Sequence, residues 1–160
     1  MKFVADSMLG RLAKWLRVLG YDTAYSNTMN DDELACLAQQ EDRVLLTRDN
    51  GLARRKGIRA LLVKSDYVEE QVWQVMQELG LRPGEGALLR CLVCNEPLEE
   101  VEKAALEGIV PPYVFQTQDH FRRCPRCGRL YWRGTHWRRM QVKIAELAGK
   151  MHGREDVGQG

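Results

Sequence analysis

Apolar residues recur along this chain in two alternating rhythms. Lys2 to Ala5 reads as a short strand, and Met8, Leu9, Leu12, Trp15, Leu16 and Leu19 then follow at helical spacing until Gly20 supplies a stop. Thr23 to Tyr25 predicts a second short strand. Asn30, Asp31, Asp32 and Glu33 are cap-type residues opening a helix that turns Leu34, Leu37 and Ala38 inward. Cys36 lies among these and is expected to be an inert core thiol. Arg43 to Thr47 is apolar and partly β-branched, as suits a strand buried on both faces, and Leu61 to Val63 repeats the signal. Ser65 is expected to cap a helix whose apolar stripe is Val68, Val72, Val75, Met76 and Leu79, closed by Gly80. Strand and helix thus alternate, which predicts right-handed crossovers and a doubly wound α/β fold with a parallel sheet flanked by helices.

The rhythm breaks at the turn-rich Arg82-Pro83-Gly84-Glu85-Gly86. The expected organisation is one α/β domain over residues 1–82, a small second unit over 87–150, and a polar, glycine-rich tail over 151–160 without fixed structure. In the second unit Leu130-Tyr131-Trp132 suits a strand. Gly134-Thr135 then opens a helix with Trp137, Met140, Ile144 and Leu147 on one face.

What holds so small a unit together is legible in its cysteines. Cys91 and Cys94 form one C-x-x-C pair and Cys124 and Cys127 another. Two such turns supply the four tetrahedral thiolates that structural zinc prefers, with no open position for chemistry. His120 and His136 are the alternative ligands. The 29 residues between the pairs exceed the usual ribbon spacing, so a loop or helix around Glu99 to Gly108 is expected to project from the knuckles.

Charge changes the picture more by its distribution than by its sum. The net charge is only +2, and residues 1–90 balance 13 basic against 13 acidic side chains. Residues 122–139 hold seven arginines and no acid: Arg122, Arg123, Arg126, Arg129, Arg133, Arg138 and Arg139. Phe121, Tyr131, Trp132 and Trp137 interleave with them, a combination of phosphate charge and stacking faces that single-stranded RNA favours. The bland account is that arginines gather round a thiolate centre of formal charge −2 while the aromatics fill a small core. Arg11, Lys14 and Arg17 share one side of the first helix and either hold an RNA backbone or form a solvated face. No apolar run approaches the ~20 residues of a membrane span. No secretory signal opens the sequence, so a cytoplasmic location is expected.

Ligands of doubly wound folds bind beyond the carboxyl ends of the strands, which selects the acids that follow a strand. Asp6 and Asp49 qualify, and Asp31 opens a helix whose N-terminus faces the same edge. Such hard oxygen ligands suit Mg²⁺ or Mn²⁺, the chemistry of a nuclease, with Thr47 placed to hydrogen-bond a ligand carboxylate. Asp31 and Asp32 have helix capping as their alternative role, and Asp49 has pairing with Arg48. Asp22 precedes its strand and reads as a turn residue.

The stretch Asp6-Ser7-Met8-Leu9-Gly10-Arg11-Leu12-Ala13-Lys14-Trp15-Leu16-Arg17, followed by Leu19-Gly20-Tyr21-Asp22, resembles the opening of the Mut-seven C-terminal RNase family. Asp31 to Leu34, Leu45-Leu46-Thr47-Arg48-Asp49, both C-x-x-C pairs and Tyr131-Trp132-Arg133-Gly134-Thr135-His136-Trp137 extend the resemblance over residues 2 to 140. It implies a PIN-like nuclease fold with a zinc ribbon, and a metal-dependent ribonuclease hydrolysing RNA phosphodiester bonds. Asp6, Asp31 and Asp49 would bind the catalytic ion. The usual PIN domain has a fourth acid, for which Asp66 is the candidate here. The rivals are a non-catalytic zinc-ribbon RNA-binding or ribosome-associated module and a phosphotransferase with Asp6 as nucleophile.

Overall fold

Strands buried on both faces need helices above and below them, and the chain supplies both layers. In a computed structural model of the chain, which describes residues 1–81 and 89–158, four strands form one sheet: β1 (Phe3–Ala5), β2 (Thr23–Tyr25), β3 (Val44–Thr47) and β4 (Arg59–Leu62). Their order is β2-β1-β3-β4 and every neighbouring pair is parallel. A 3-10 turn at Ser7–Leu9 leads into α1 (Gly10–Val18), which returns the chain to β2; α2 (Asp31–Gln40) leads to β3 and α3 (Asn50–Ala53) to β4. After β4, α4 (Val68–Leu79) ends at Gly80, whose φ of 67° lies in the left-handed region that favours a residue without Cβ.

The pleat sends alternate side chains to opposite layers. Phe3, Ala5 and Leu46 pack with Leu12 and Leu16 of α1 and Val72 and Val75 of α4, whereas Val4 and Leu45 pack with Leu34 and Ala38 of α2 and Leu52 of α3. This is the doubly wound parallel sheet expected from the alternation. Two local expectations are corrected. Cys36 is exposed, because the buried stripe of α2 is Leu34, Ala35 and Ala38 and residue 36 falls off it. Ser65 does not cap α4; its hydroxyl accepts from Tyr67 N–H at 3.0 Å in the turn ahead of the helix. The four-residue α3 is too short to show a period and had no signal.

The second sheet is antiparallel in the order β5-β6-β7, from β5 (Glu99–Val101), β6 (Phe121–Arg123) and β7 (Leu130–Tyr131). Between the cysteine pairs the chain does not simply project. Glu99–Val101 joins the sheet, and a 3-10 turn at Lys103–Leu106 and α5 (Pro112–Thr117) help close a core of Leu106, Val110 and Phe121. The boundary expected at Arg82 to Gly86 lies outside the described residues.

The last helix, α6 (Thr135–Gly158), follows the ribbon in sequence but packs on the first sheet's helices. Ile144 enters the main core, Met140 meets Val18 of α1, and Lys143 Nζ binds Glu69 Oε1 of α4 at 3.0 Å. The ribbon core is already filled by its own residues, so the apolar stripe of α6 is buried elsewhere; covering Ile144 contributes about 2 kcal/mol. The backbone of α6 continues through the segment read from sequence as an unstructured tail. No helix among the described residues is long and apolar enough to cross a membrane.

Candidate functional site

The helices following β1 and β3 lie on opposite faces of the sheet, so the chain parts between these neighbouring strands at their carboxyl ends. Asp6 follows β1 there and Asp49 lies just beyond β3. Thr47, fully buried, ties them together: its hydroxyl donates to Asp6 Oδ2 at 2.8 Å and accepts from Asp49 N–H at 3.0 Å. Asp6 is 7% exposed, and its Oδ1 also accepts from Ser7 N–H at 2.7 Å. Asp49 Oδ1 accepts from Leu52 N–H at 3.0 Å and so caps α3.

Asp31 is exposed at the first position of α2, and it is Asn30 that caps this helix, accepting from Glu33 N–H at 2.8 Å. Capping therefore does not occupy the Asp31 carboxylate. Asp32 pairs with Arg55, and Arg48 pairs with Asp66 instead of Asp49. Among the described residues the acids do not gather into a close group of three; the four cysteines are the one such group. Sequence reasoning missed Tyr25, whose hydroxyl donates to the Ser7 carbonyl at 2.9 Å. It lies so close to Gly10 that a Cβ there would meet it at 2.8 Å.

The sulfurs of Cys91, Cys94, Cys124 and Cys127 all lie within 4.8 Å of one another. A tetrahedron with Zn–S bonds near 2.3 Å has S···S edges of about 3.8 Å, and Cys91 and Cys127 are 3.7 Å apart. The donor set and its spacing fit zinc. Each knuckle repeats one design. Cys94 N–H points at Cys91 Sγ at 3.4 Å and Cys127 N–H at Cys124 Sγ at 3.5 Å. Asn95 (φ 65°) and Gly128 (φ 78°) make the left-handed step after each pair. Tyr131 accepts from Leu92 N–H at 3.1 Å and lies 3.1 Å from Cys91 Sγ, a partner that orients the ligand. His120 is exposed and outside the quartet; the His136 side chain lies outside the described residues.

The model of the Mut7-C RNAse domain matches residues 1–144, from the first strand through the ribbon to Ile144, the residue that docks α6 in the main core. The chain belongs to the Mut7-C RNAse domain family. No curated protein and no solved structure matches it. Membership gives the chain a nuclease-type role with RNA as the substrate class. The matched span of this Mut7-C chain includes both the acidic edge and the cysteine quartet, so the family unit is the sheet and ribbon together.

The joint between those two parts explains several charged residues. Arg17, expected on an RNA-facing side, is 6% exposed and donates from Nε to Thr23 O at 2.9 Å and from Nη1 to Leu92 O at 2.7 Å. It clamps β2 to the first knuckle and has no free guanidinium for RNA. Asn95 completes the clamp, its Oδ1 accepting from Thr23 N–H at 2.9 Å and its Nδ2 donating to Asp22 Oδ1 at 2.6 Å. Asn95→Gly keeps the left-handed step but orphans the buried Thr23 N–H. Chemical denaturation should show a loss of about 2 kcal/mol with zinc content unchanged.

Asp22 is the anchor of this joint and not a mere turn residue. Burial pushes its carboxyl up, but hydrogen bonds from Arg43 and Asn95 outweigh this and hold it below the ordinary 3.8. A depressed carboxyl stabilises the fold above its unfolded pKa and loses that contribution as pH falls through the folded value. The advantage of the wild type over Asp22→Asn in urea midpoint should therefore be constant at neutral pH and shrink below pH 3.8.

Arg11 and Lys14 are exposed on α1, as are Arg123, Arg126, Arg129, Arg133, Arg138 and Arg139 on the ribbon and α6, while Arg122 is half-buried. Of the interleaved aromatics Phe121 is buried, and Tyr131 and Trp137 are half-buried: Tyr131 holds Cys91, and Trp137 packs beside Val18 and Met140 with Arg133 over its ring at 5.0 Å. Trp137 is therefore engaged in part in packing at the joint, where α6 covers α1.

Proposed function

We propose that the chain is a metal-dependent ribonuclease that hydrolyses RNA phosphodiester bonds at the crevice between β1 and β3. The observation that carries this reading is the Thr47 hydroxyl joining the Asp6 carboxylate to the Asp49 backbone, at the point of the sheet where doubly wound folds bind ligands. An ionised carboxylate has about four acceptor sites, so Asp6 and Asp49 keep capacity beyond the donors already on them. The donor set is hard oxygen and suits Mg²⁺ or Mn²⁺, with Asp6 and Asp49 as ligands and Asp31 orienting water at the rim. A bound ion supplies neutralisation of the phosphate charge and acidification of an attacking water. Thr47 and Ser7 hold Asp6 in one rotamer, Arg11 and Lys14 meet the RNA backbone beside it, and the arginines of residues 122–139 hold the single strand. The zinc of the quartet is structural.

The test is cleavage of a labelled single-stranded RNA by zinc-retaining protein, stripped of other metals and titrated with Mn²⁺. Cleavage that requires the added ion supports the nuclease. RNA binding without scission at any Mn²⁺ concentration turns the reading to a non-catalytic zinc-ribbon RNA-binding module.

A further inference from the structure

Pairing in the ribbon separates two faces of its sheet. Val101 lies opposite Phe121, and both belong to the ribbon core; Glu100 lies opposite Arg122, and Arg122 opposite Tyr131. By the pleat, this second row stands on the other face. A cleft of about 360 Å³ opens at the edge of this sheet, lined by Glu100 and Arg122 of this row, by Val101 and Phe121 of the core row, and by Trp132 and Arg133 among others. That volume is near the lower end of the range for small-ligand sites, roughly 300–1,000 Å³. Two guanidinium groups, an indole and two carboxylates thus meet in one concavity, more than 50 residues from Asp49, the nearest proposed catalytic acid in sequence, and on a separate sheet.

Each wall suits one part of a nucleotide. Arginine side chains meet phosphate, and aromatic rings offer a face for a base pulled out of a stack. Arg133 is already held over the Trp137 ring at 5.0 Å, so it loses less freedom on binding. A carboxylate repels phosphate and only accepts, and the donors a base offers are N–H groups, so its place in the wall carries information about the base. Asp119, also in the cleft, is paired with Lys103 at 3.4 Å, which leaves Glu100 to meet the base edge. Adenine, cytosine and guanine present an exocyclic amine there; uracil presents two carbonyls and a single N–H.

We propose that this cleft binds one unstacked nucleotide of single-stranded RNA, with Arg122 and Arg133 on its phosphate, Trp132 against its base and Glu100 accepting from the base's amine, and so disfavours uracil. The proposal rests on the reading of the chain as an RNA-handling protein and adds a specificity that reading does not contain.

Fluorescence anisotropy of labelled oligo-rA, oligo-rC and oligo-rU with the zinc-loaded full chain tests it, with no Mg²⁺ or Mn²⁺ added. The expected result is about tenfold weaker binding of oligo-rU than of oligo-rC and oligo-rA. Glu100→Gln should bring the three within about twofold, because an amide can also donate to a uracil carbonyl. Arg133→Ala should weaken all three several-fold at unchanged zinc content. Equal affinities in the wild type, or a preference that survives Glu100→Gln, overturn the proposal. Without added divalent ion the measurement is blind to cleavage: a base preference in a protein that never cuts leaves the cleft standing and removes the nuclease, and cutting without preference does the reverse.

Discussion

Asp6→Asn lowers Mn²⁺-dependent cleavage of single-stranded RNA by about a thousandfold while the protein keeps its fold, its zinc and its affinity for RNA. The size follows from the role. A hard ligand that helps neutralise a phosphodiester transition state is worth about 4 kcal/mol, a factor of about 10³ in rate. The structural cost is small by comparison. An amide oxygen still accepts from Ser7 N–H or Thr47 Oγ1, so one of two hydrogen bonds is weakened, about 1 kcal/mol, or roughly 3 °C in Tm for a chain of this length. The measurement is single-turnover cleavage beside thermal melting and anisotropy. Cleavage within tenfold of wild type removes Asp6 from the chemistry. A Tm fall above about 10 °C instead makes it a structural acid. Asp49→Asn is the companion variant, and it must be compared with Asp49→Ser, which retains an α3 cap without a carboxylate.

Cys124→Ser, or removal of zinc by a strong chelator, lowers Tm by roughly 12 °C and unfolds the ribbon before the parallel sheet. Metal binding to such sites is folding free energy, about 10–16 kcal/mol in isolated zinc-finger peptides. Only the share not recovered by the rest of the fold appears as lost stability. Taking about 4 kcal/mol for that share and about 3 °C per kcal/mol gives the figure. The loss spreads through identifiable contacts. Without the knuckles Tyr131 loses Cys91, Asn95 no longer holds the start of β2, and Arg17 loses the Leu92 carbonyl. Amide exchange should accordingly rise at Thr23 to Tyr25, while β3, central and wholly buried, stays protected. A stripped protein with unchanged Tm and unchanged exchange at β2 shows that the quartet does not stabilise the fold.

How much of this was legible beforehand depended on the range of the interaction concerned. The strand and helix alternation of residues 1–80 reported a parallel sheet because burial on one or two faces leaves a local period. The cysteine spacing reported a metal site because a C-x-x-C turn is a local geometry. The acids of interest could be chosen because they end strands, and the Thr47 contact with Asp6 followed from that placement. Arg17 and Asp22 were misread for the converse reason. Each looks like a surface charge within its own segment, and only distant segments pair them: the first knuckle, more than 70 residues away, for both, and Arg43 for Asp22 as well.

The sequence by itself determined the alternating strands and longer helices of the first sheet and the ligands of the quartet, since period, caps and turn geometry act over a few residues. Only the tertiary structure decided that α6 leaves its ribbon to complete the core of the first sheet, that Trp137 packs beside Val18 and Met140, and that Asn30 caps α2 while Asp31 stands exposed. These are outcomes of competition for buried area and for hydrogen-bond partners. A competition between distant segments leaves no mark in either segment alone.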